Sequence, residues 1–139
     1  MMTYPKDEFV VYRAPEDEGQ FIAHSIRTDQ IGMADTVGGA MYELLVALQN
    51  LYTEHARNPE IRVERTALES VQRLYFNSDP LPEPYWEEAK ARLVDPSLDQ
   101  HARHNLASEV VHGREVSEVT YYGLILRGVQ ADAAERLLV

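Results

Sequence analysis

Residues 35–57, DTVGGAMYELLVALQNLYTEHAR, carry the clearest pattern in the chain. Val37, Met41, Leu44, Leu45, Leu48, Leu51, Tyr52 and His55 recur at steps of three and four, which a period of 3.6 gathers into one apolar stripe. The spacing predicts an amphipathic helix from Val37 to Arg57 with that stripe on a core. Asp35 and Thr36 offer side-chain oxygens to the free N–H groups of its first turn. Asn58 and Pro59 stop it.

Upstream, Phe9 to Arg13 and Gln20 to Ile26 are short runs rich in Val, Ile, Tyr and Phe, separated by a turn holding Pro15 and Gly19. Such runs read as a β-hairpin, and Ile31 to Ala34 is a third short strand leading into the helix. Downstream, Ile61 to Arg65 alternates apolar and charged residues and is expected to return as a strand. Thr66 to Glu69 has capping-box spacing and opens a helix carrying Leu68, Val71 and Leu74. Asn77 to Pro84 holds three of the seven prolines and reads as a linker. Tyr85 to Val94 is a short acidic helix, and Ser97 to Gln100 opens another with Leu98, Ala102, Leu106 and Val110 at i, i+4 spacing, closed by Gly113. Val119 to Leu126 has the composition of a strand, while Val116, Val119, Tyr122, Leu126 and Val129 fit helical spacing about equally well, so 116–127 is open between the two, since short apolar runs do not discriminate.

The expected fold is one α+β domain. Its N-terminal part, residues 1–65, is a small antiparallel sheet with the long helix packed on it. Residues 66–139 are a mainly helical extension. A chain of 139 residues with 45% hydrophobic residues can support such a core, burying roughly 68% of its unfolded surface.

Composition narrows the function. Thirteen Lys and Arg against 23 Asp and Glu leave a net charge of −10, a field that repels nucleic-acid phosphate. Eleven of the cations are Arg, scattered along the chain, and no basic patch forms. The absence of cysteine removes disulfides, thiolate metal sites and a cysteine nucleophile. No window approaches the ~18 apolar residues of a membrane span, and Lys6, Asp7 and Glu8 stand where a signal core would be apolar, so a cytoplasmic location is expected.

Catalytic signatures are mostly missing: there is no phosphate-binding P-loop, dinucleotide glycine set, zinc-protease helix or nucleophile elbow. Gly38 and Gly39 begin the long helix, where free N–H groups and the dipole can hold an anion, although close packing of the first turn explains a glycine pair more simply. Tyr85 and Trp86, with Tyr75 and Phe76, flank the proline segment and either seal the core or present a partner anchor. These four positions, Gly38, Gly39, Tyr85 and Trp86, are the candidate partner or anion contacts. His101, His104 and His112 share a helix face in this reading, yet a closed metal site takes four ligands, so no structural metal is expected. Glu16-Asp17 and Glu87-Glu88 are adjacent carboxylates that do not face each other on a helix, and general acid/base work needs one of them desolvated. No cofactor and no catalytic residue is assigned.

Phe9 to Arg13, the turn ending at Gly19, Gln20 to His24 and then Gly32 to Ala40 leading into the helix resemble the N-terminal module of HicB-like antitoxins. The likeness covers about residues 9–65. It implies a truncated ribonuclease-H-like sandwich and a non-catalytic protein that neutralises a small basic mRNA-cleaving toxin, often as a homo-oligomer. The family's appended DNA-binding module has no counterpart after Thr66, where a basic arm is lacking and the charge stays acidic. Ribonuclease-H chemistry needs metal-binding carboxylates beginning in the first strand, and Phe9 to Arg13 has none. The expected partner is therefore a basic protein rather than nucleic acid, which the charge disfavours. Rival readings are an acidic secretion chaperone or toxin-immunity protein, and a small metal-dependent enzyme using the C-terminal histidines. A small sheet under one helix also has a free edge, and neither N-terminal strand carries a proline or lysine to block it, so self-association, with a dimer favoured, is expected.

Overall fold

The computed structural model describes residues 6–17, 19–93, 110–112, 117–121 and 124–131. Strands β1 (Lys6–Arg13), β2 (Phe21–Ser25) and β3 (Ile31–Ala34) form an antiparallel meander. Helix α1 (Val37–Arg57) follows directly, then α2 (Glu69–Phe76), the two-residue β4 (Asp79–Pro80) and α3 (Glu83–Leu93). Strands β5 (Val110–His112), β6 (Ser117–Tyr121) and β7 (Leu124–Gln130) complete the sheet in the order β3-β2-β1-β7-β6-β5. All these pairings are antiparallel except β1 with β7, which run parallel from Lys6 opposite Ile125 to Val11 opposite Gln130. β4 pairs Val129 and Gln130 of β7, just past Gly128, where the pairing of β6 ends. The protein is an α+β fold on a mixed sheet.

β1 is the middle of this sheet and is buried on both faces. Phe9 and Val11 point to one side with Ala23, where α1 brings Val37, Met41, Leu44, Leu45 and Leu48 and α3 brings Trp86 and Ala89. Val10 and Tyr12 point to the other, where α2 supplies Val71 and Leu74 beside Ile26, Val129 and Ala131. A strand covered on both faces reads as a continuous apolar run, as Phe9 to Tyr12 does.

Two glycines set the spacing between layers. Phe9 lies opposite Gly128 in the parallel pair, and a Cβ on Gly128 would stand 2.4 Å from the Phe9 ring and 2.7 Å from Leu81. The vacant position lets Phe9 meet Trp86 edge to face, with ring centroids 6.0 Å apart. At Gly32 a Cβ would come within 2.2 Å of the backbone nitrogen of Leu44 and 2.4 Å of the Ala40 carbonyl. α1 therefore rests on the bare backbone of β3. Its start is fixed by Thr36, whose hydroxyl accepts from the Gly39 N–H at 3.0 Å, and its end by Asn58, whose N–H donates to the Glu54 carbonyl.

The strand at Ile31–Ala34 and the helix from Val37 to Arg57 have the expected bounds. Four features differ from the sequence reading. The sheet is mixed and larger than a small antiparallel one, because β7 pairs with β1. The extension after residue 65 is not mainly helical where it is described: beyond α2 and α3, residues 110–112, 117–121 and 124–130 are strands, which settles the even choice over 116–127 in favour of strand there. The helix expected through Val110 does not reach it, and the rest of that helix lies outside the described residues. Ile61 to Arg65 carries no strand, and α2 starts at Glu69 after Leu68 rather than from a cap at Thr66. Arg65 and Ala67 instead donate their N–H groups to the carbonyls of Arg27 and Ile26, at 2.9 and 3.1 Å. These bonds hold the segment against the β2–β3 turn and delay the helix.

Replacing Gly32 by Ala is expected to cost about 3 kcal/mol or more, since the new methyl meets helix backbone and not a side-chain tip that can turn away. Gly19→Ala, whose Cβ would meet only the Asp17 carboxylate at 3.4 Å, is expected to change stability by less than about 0.5 kcal/mol. Urea unfolding of the two variants measures the contrast.

Candidate functional site

Among the described residues, the outer edge of β3 is the sheet's unpaired margin on its N-terminal side. β1 is closed by β2 and β7, and β2 by β1 and β3, so the free edge expected at the two N-terminal strands is filled within the chain. The hydrogen-bond phase of the β2–β3 pair follows from its turn. Ser25 donates its N–H to the Gln30 carbonyl at 2.9 Å, and bonded and non-bonded pairs alternate along an antiparallel ladder. Gly32 opposite Ala23 is then a bonded pair, while Ile31 opposite His24 and Met33 opposite Ile22 are not. The backbone N–H and C=O groups of Ile31 and Met33 accordingly point outward, away from β2.

The side chains of those two residues occupy the sheet face that carries α2, but α2 lies over β1. Its core ends at the partly buried Ile22, leaving Ile31 and Met33 each 46% exposed. Ile22 and Met33 line a shallow pocket of about 380 Å³ with Ala14, Pro15, Glu16 and Asp17 of the β1–β2 loop. Carboxylates border the apolar strip: Glu16 and Asp17 at the pocket, exposed Asp35 after β3, and Asp29 in the turn before it. Asp29 has φ 59°, a left-handed conformation that Asp tolerates, and its carboxylate is 2.7 Å from His24 Nε2. His24 Nδ1 is 2.9 Å from the Tyr12 hydroxyl. Burial, aided by Asp29, pushes the Tyr12 phenol up to about 12. The two ring nitrogens thus bridge the Tyr12 hydroxyl and the Asp29 carboxylate. This chain fixes the end of the strip next to Ile31.

A second polar constellation sits on the opposite face. Asp7, fully buried, accepts from the Ser25 hydroxyl at 2.5 Å and from the Glu8 N–H at 2.9 Å, with the Thr28 hydroxyl 3.3 Å from its other oxygen. The Ser25 oxygen also accepts from the Thr28 N–H at 3.0 Å, so the group ties the start of β1 to the β2–β3 turn. Lys6, Arg27, Thr28, Tyr52 and Glu64 line a pocket of about 190 Å³ beside it. Desolvation raises the Asp7 carboxyl from 3.8 to about 6, against the lowering effect of its hydrogen bonds and of Arg27. The sequence reading began the first strand at Phe9 and called it free of carboxylates. β1 begins at Lys6 and contains both Asp7 and Glu8. The two diverge, however: Glu8 accepts from the Tyr75 hydroxyl at 2.7 Å on the α2 side, so the period of two keeps them from forming a pair. Nothing in the local sequence marks Asp7, because its partners are hydroxyls at a turn 18 and 21 residues away.

The positions singled out from sequence lie elsewhere. Gly38 and Gly39 are buried, and a Cβ on Gly38 would stand 2.6 Å from the Glu88 side chain of α3. Thr36 donates its hydroxyl to Glu88 Oε2 at 2.5 Å, and Arg92 Nε lies 3.6 Å from the same oxygen. The anion at the start of α1 is thus the protein's own Glu88. Trp86 is 1% exposed and belongs to the core, its indole N–H meeting no acceptor among the described residues, and Tyr85 is partly buried against the same cluster. His101 and His104 lie outside the described residues, and only the backbone of His112, in β5, is described. Among the described residues no group of three or more His, Asp or Glu is arranged to hold a metal ion, and no helix is long and apolar enough to cross a membrane.

Because the folded Asp7 holds its proton more tightly than the unfolded chain does, its stabilising contribution is complete below pH about 4. It is lost as pH rises through about 6, on the order of 3 kcal/mol in all. Asp7→Asn is neutral throughout. Apart from a constant offset, the variant is expected to gain on the wild type by that amount between about pH 4 and pH 8 in urea unfolding, whereas a constant gap would contradict the raised carboxyl.

Comparison with protein-family models, with curated proteins and with solved structures yields no match to this chain.

Proposed function

We propose that the protein is a non-catalytic binder of a basic protein partner, acting as an HicB-like antitoxin that neutralises a small basic mRNA-cleaving toxin. The observation that carries this reading is the apolar strip of Ile22, Ile31 and Met33 bordered by Glu16, Asp17, Asp29 and Asp35, on a chain of net charge −10. An apolar centre supplies affinity, and a carboxylate border selects and steers a cationic partner. The order of the first elements, three antiparallel strands followed by a helix across them, is compatible with the resemblance of residues 9–65 to the HicB module. The two β1 carboxylates turn to opposite faces, which also favours binding over two-metal nuclease chemistry.

The test is purification with the product of an adjacent short basic reading frame, followed by RNA cleavage assays in Mg²⁺. A stable complex in which the toxin's cleavage is suppressed, and whose affinity falls steeply between about 50 and about 500 mM salt, is expected. Glu16→Lys with Asp17→Lys should weaken it by roughly tenfold or more. A partner that binds both forms equally, or RNA cleavage by this chain alone, contradicts the proposal.

A further inference from the structure

The open margin of β3 has the properties of a strand acceptor. Ile31 and Met33 present two N–H and two C=O groups outward, by the alternation fixed at Ser25 and Gln30. Their side chains form an exposed apolar strip on one face, continuous with the pocket floored by Ile22 and Met33. Natural edges are usually blunted by lysine, proline or a bulge, and Ile31-Gly32-Met33-Ala34 contains none of these residues.

We propose that the partner docks by adding an extended segment to β3, with apolar side chains at alternate central positions and Lys or Arg at its ends. This rests on the reading of the protein as a binder of a basic partner and names how that partner is held. Alternate side chains of an added strand fall on one face, so its apolar residues continue the Ile22, Met33 and Ile31 strip and one of them fills the pocket beside Pro15. Its cations, at the two ends of the added strand, then meet Glu16 and Asp17 at the pocket and Asp29 or Asp35 at the ends of β3. The same charges disfavour a second copy of this chain. Two β3 edges related by a two-fold axis pair antiparallel, which sets Asp29 of one copy towards Asp35 of the other at both ends, between molecules that each carry −10. Charge complementarity selects the basic strand.

The test is an amide chemical-shift titration of the isotopically labelled full chain with a synthetic peptide of about seven residues, valine at alternate central positions and lysine at both ends. The largest shifts are expected at Ile31 and Met33 and in the loop at Glu16 and Asp17. Met33→Pro removes an N–H that points to the open edge and not to β2, and should weaken binding on the order of tenfold. Met33→Lys keeps every backbone group but puts a cation on the strip, and should weaken binding in the same direction; it decides the matter if the proline variant does not fold. Binding that maps elsewhere, or that survives in the folded variants, overturns strand addition while leaving the basic-partner reading in place. No binding of the lysine peptide by the wild type, or equal binding of a valine–glutamate peptide, overturns both. A dimer that forms with rising concentration and loses the Ile31 and Met33 shifts overturns the proposal in favour of self-pairing.

Discussion

The parallel pairing of β7 with β1 is the constraint on which the other features depend. It gives β1 a neighbour on its second side, so the strand that opens the sheet becomes its centre. It sets Gly128 opposite Phe9, and the missing side chain there admits the Phe9 ring to its edge contact with Trp86. It also carries Val129 and Ala131 beneath α2, which completes the second core. A parallel neighbour cannot arrive through a tight turn, so the chain must travel through α1, α2, α3 and two further strands before it returns. That long return is why both faces of β1 are covered, and why the margin left open lies two strands away at β3.

The same architecture separates two kinds of polar group. On the α1 face, Asp7 is sealed by Ser25 and Thr28 and serves to tie the turn between β2 and β3 to the first strand. On the other face, Tyr12, His24 and Asp29 form a chain of hydrogen bonds that ends at the strip of exposed apolar residues. Both constellations hold the one β2–β3 turn, from opposite sides. The edge of β3 is therefore presented by a turn braced in two layers, and a rigid edge loses less conformational entropy when a partner pairs with it.

What the sequence displayed was the local part of this design. The stripe from Val37 to Leu48 and the hydroxyl of Thr36 are readable because period and cap are properties of neighbouring residues. The parallel strand was not readable: Leu124 and Leu126 are buried on one face and Val129 on the other, so the run lacks the alternation that marks a strand with one wet face. The start of α2 was misplaced for a related reason, since a capping-box pattern at Thr66 is overruled by backbone bonds from Arg65 and Ala67 to a turn about forty residues earlier. Gly38 and Gly39 were correctly suspected of close packing, but the surface they admit is α3 with Glu88 as well as the end of β3. A free edge is expected from a small sheet, but that β3 bears it follows from the pairing of β7 with β1, which no local pattern displays.

Amide hydrogen exchange on the free protein tests this account most directly, because each strand residue sends its N–H to one side only. The amides of Phe9 and Val11 point to β7 and that of Gly32 points to β2, so all three should exchange slowly, near the rate of global unfolding. Those of Ile31 and Met33 should exchange far faster than Gly32 between them. Rapid exchange at Phe9 and Val11 would contradict closure of β1 by β7. Equal protection along Ile31, Gly32 and Met33 would contradict an open edge at β3.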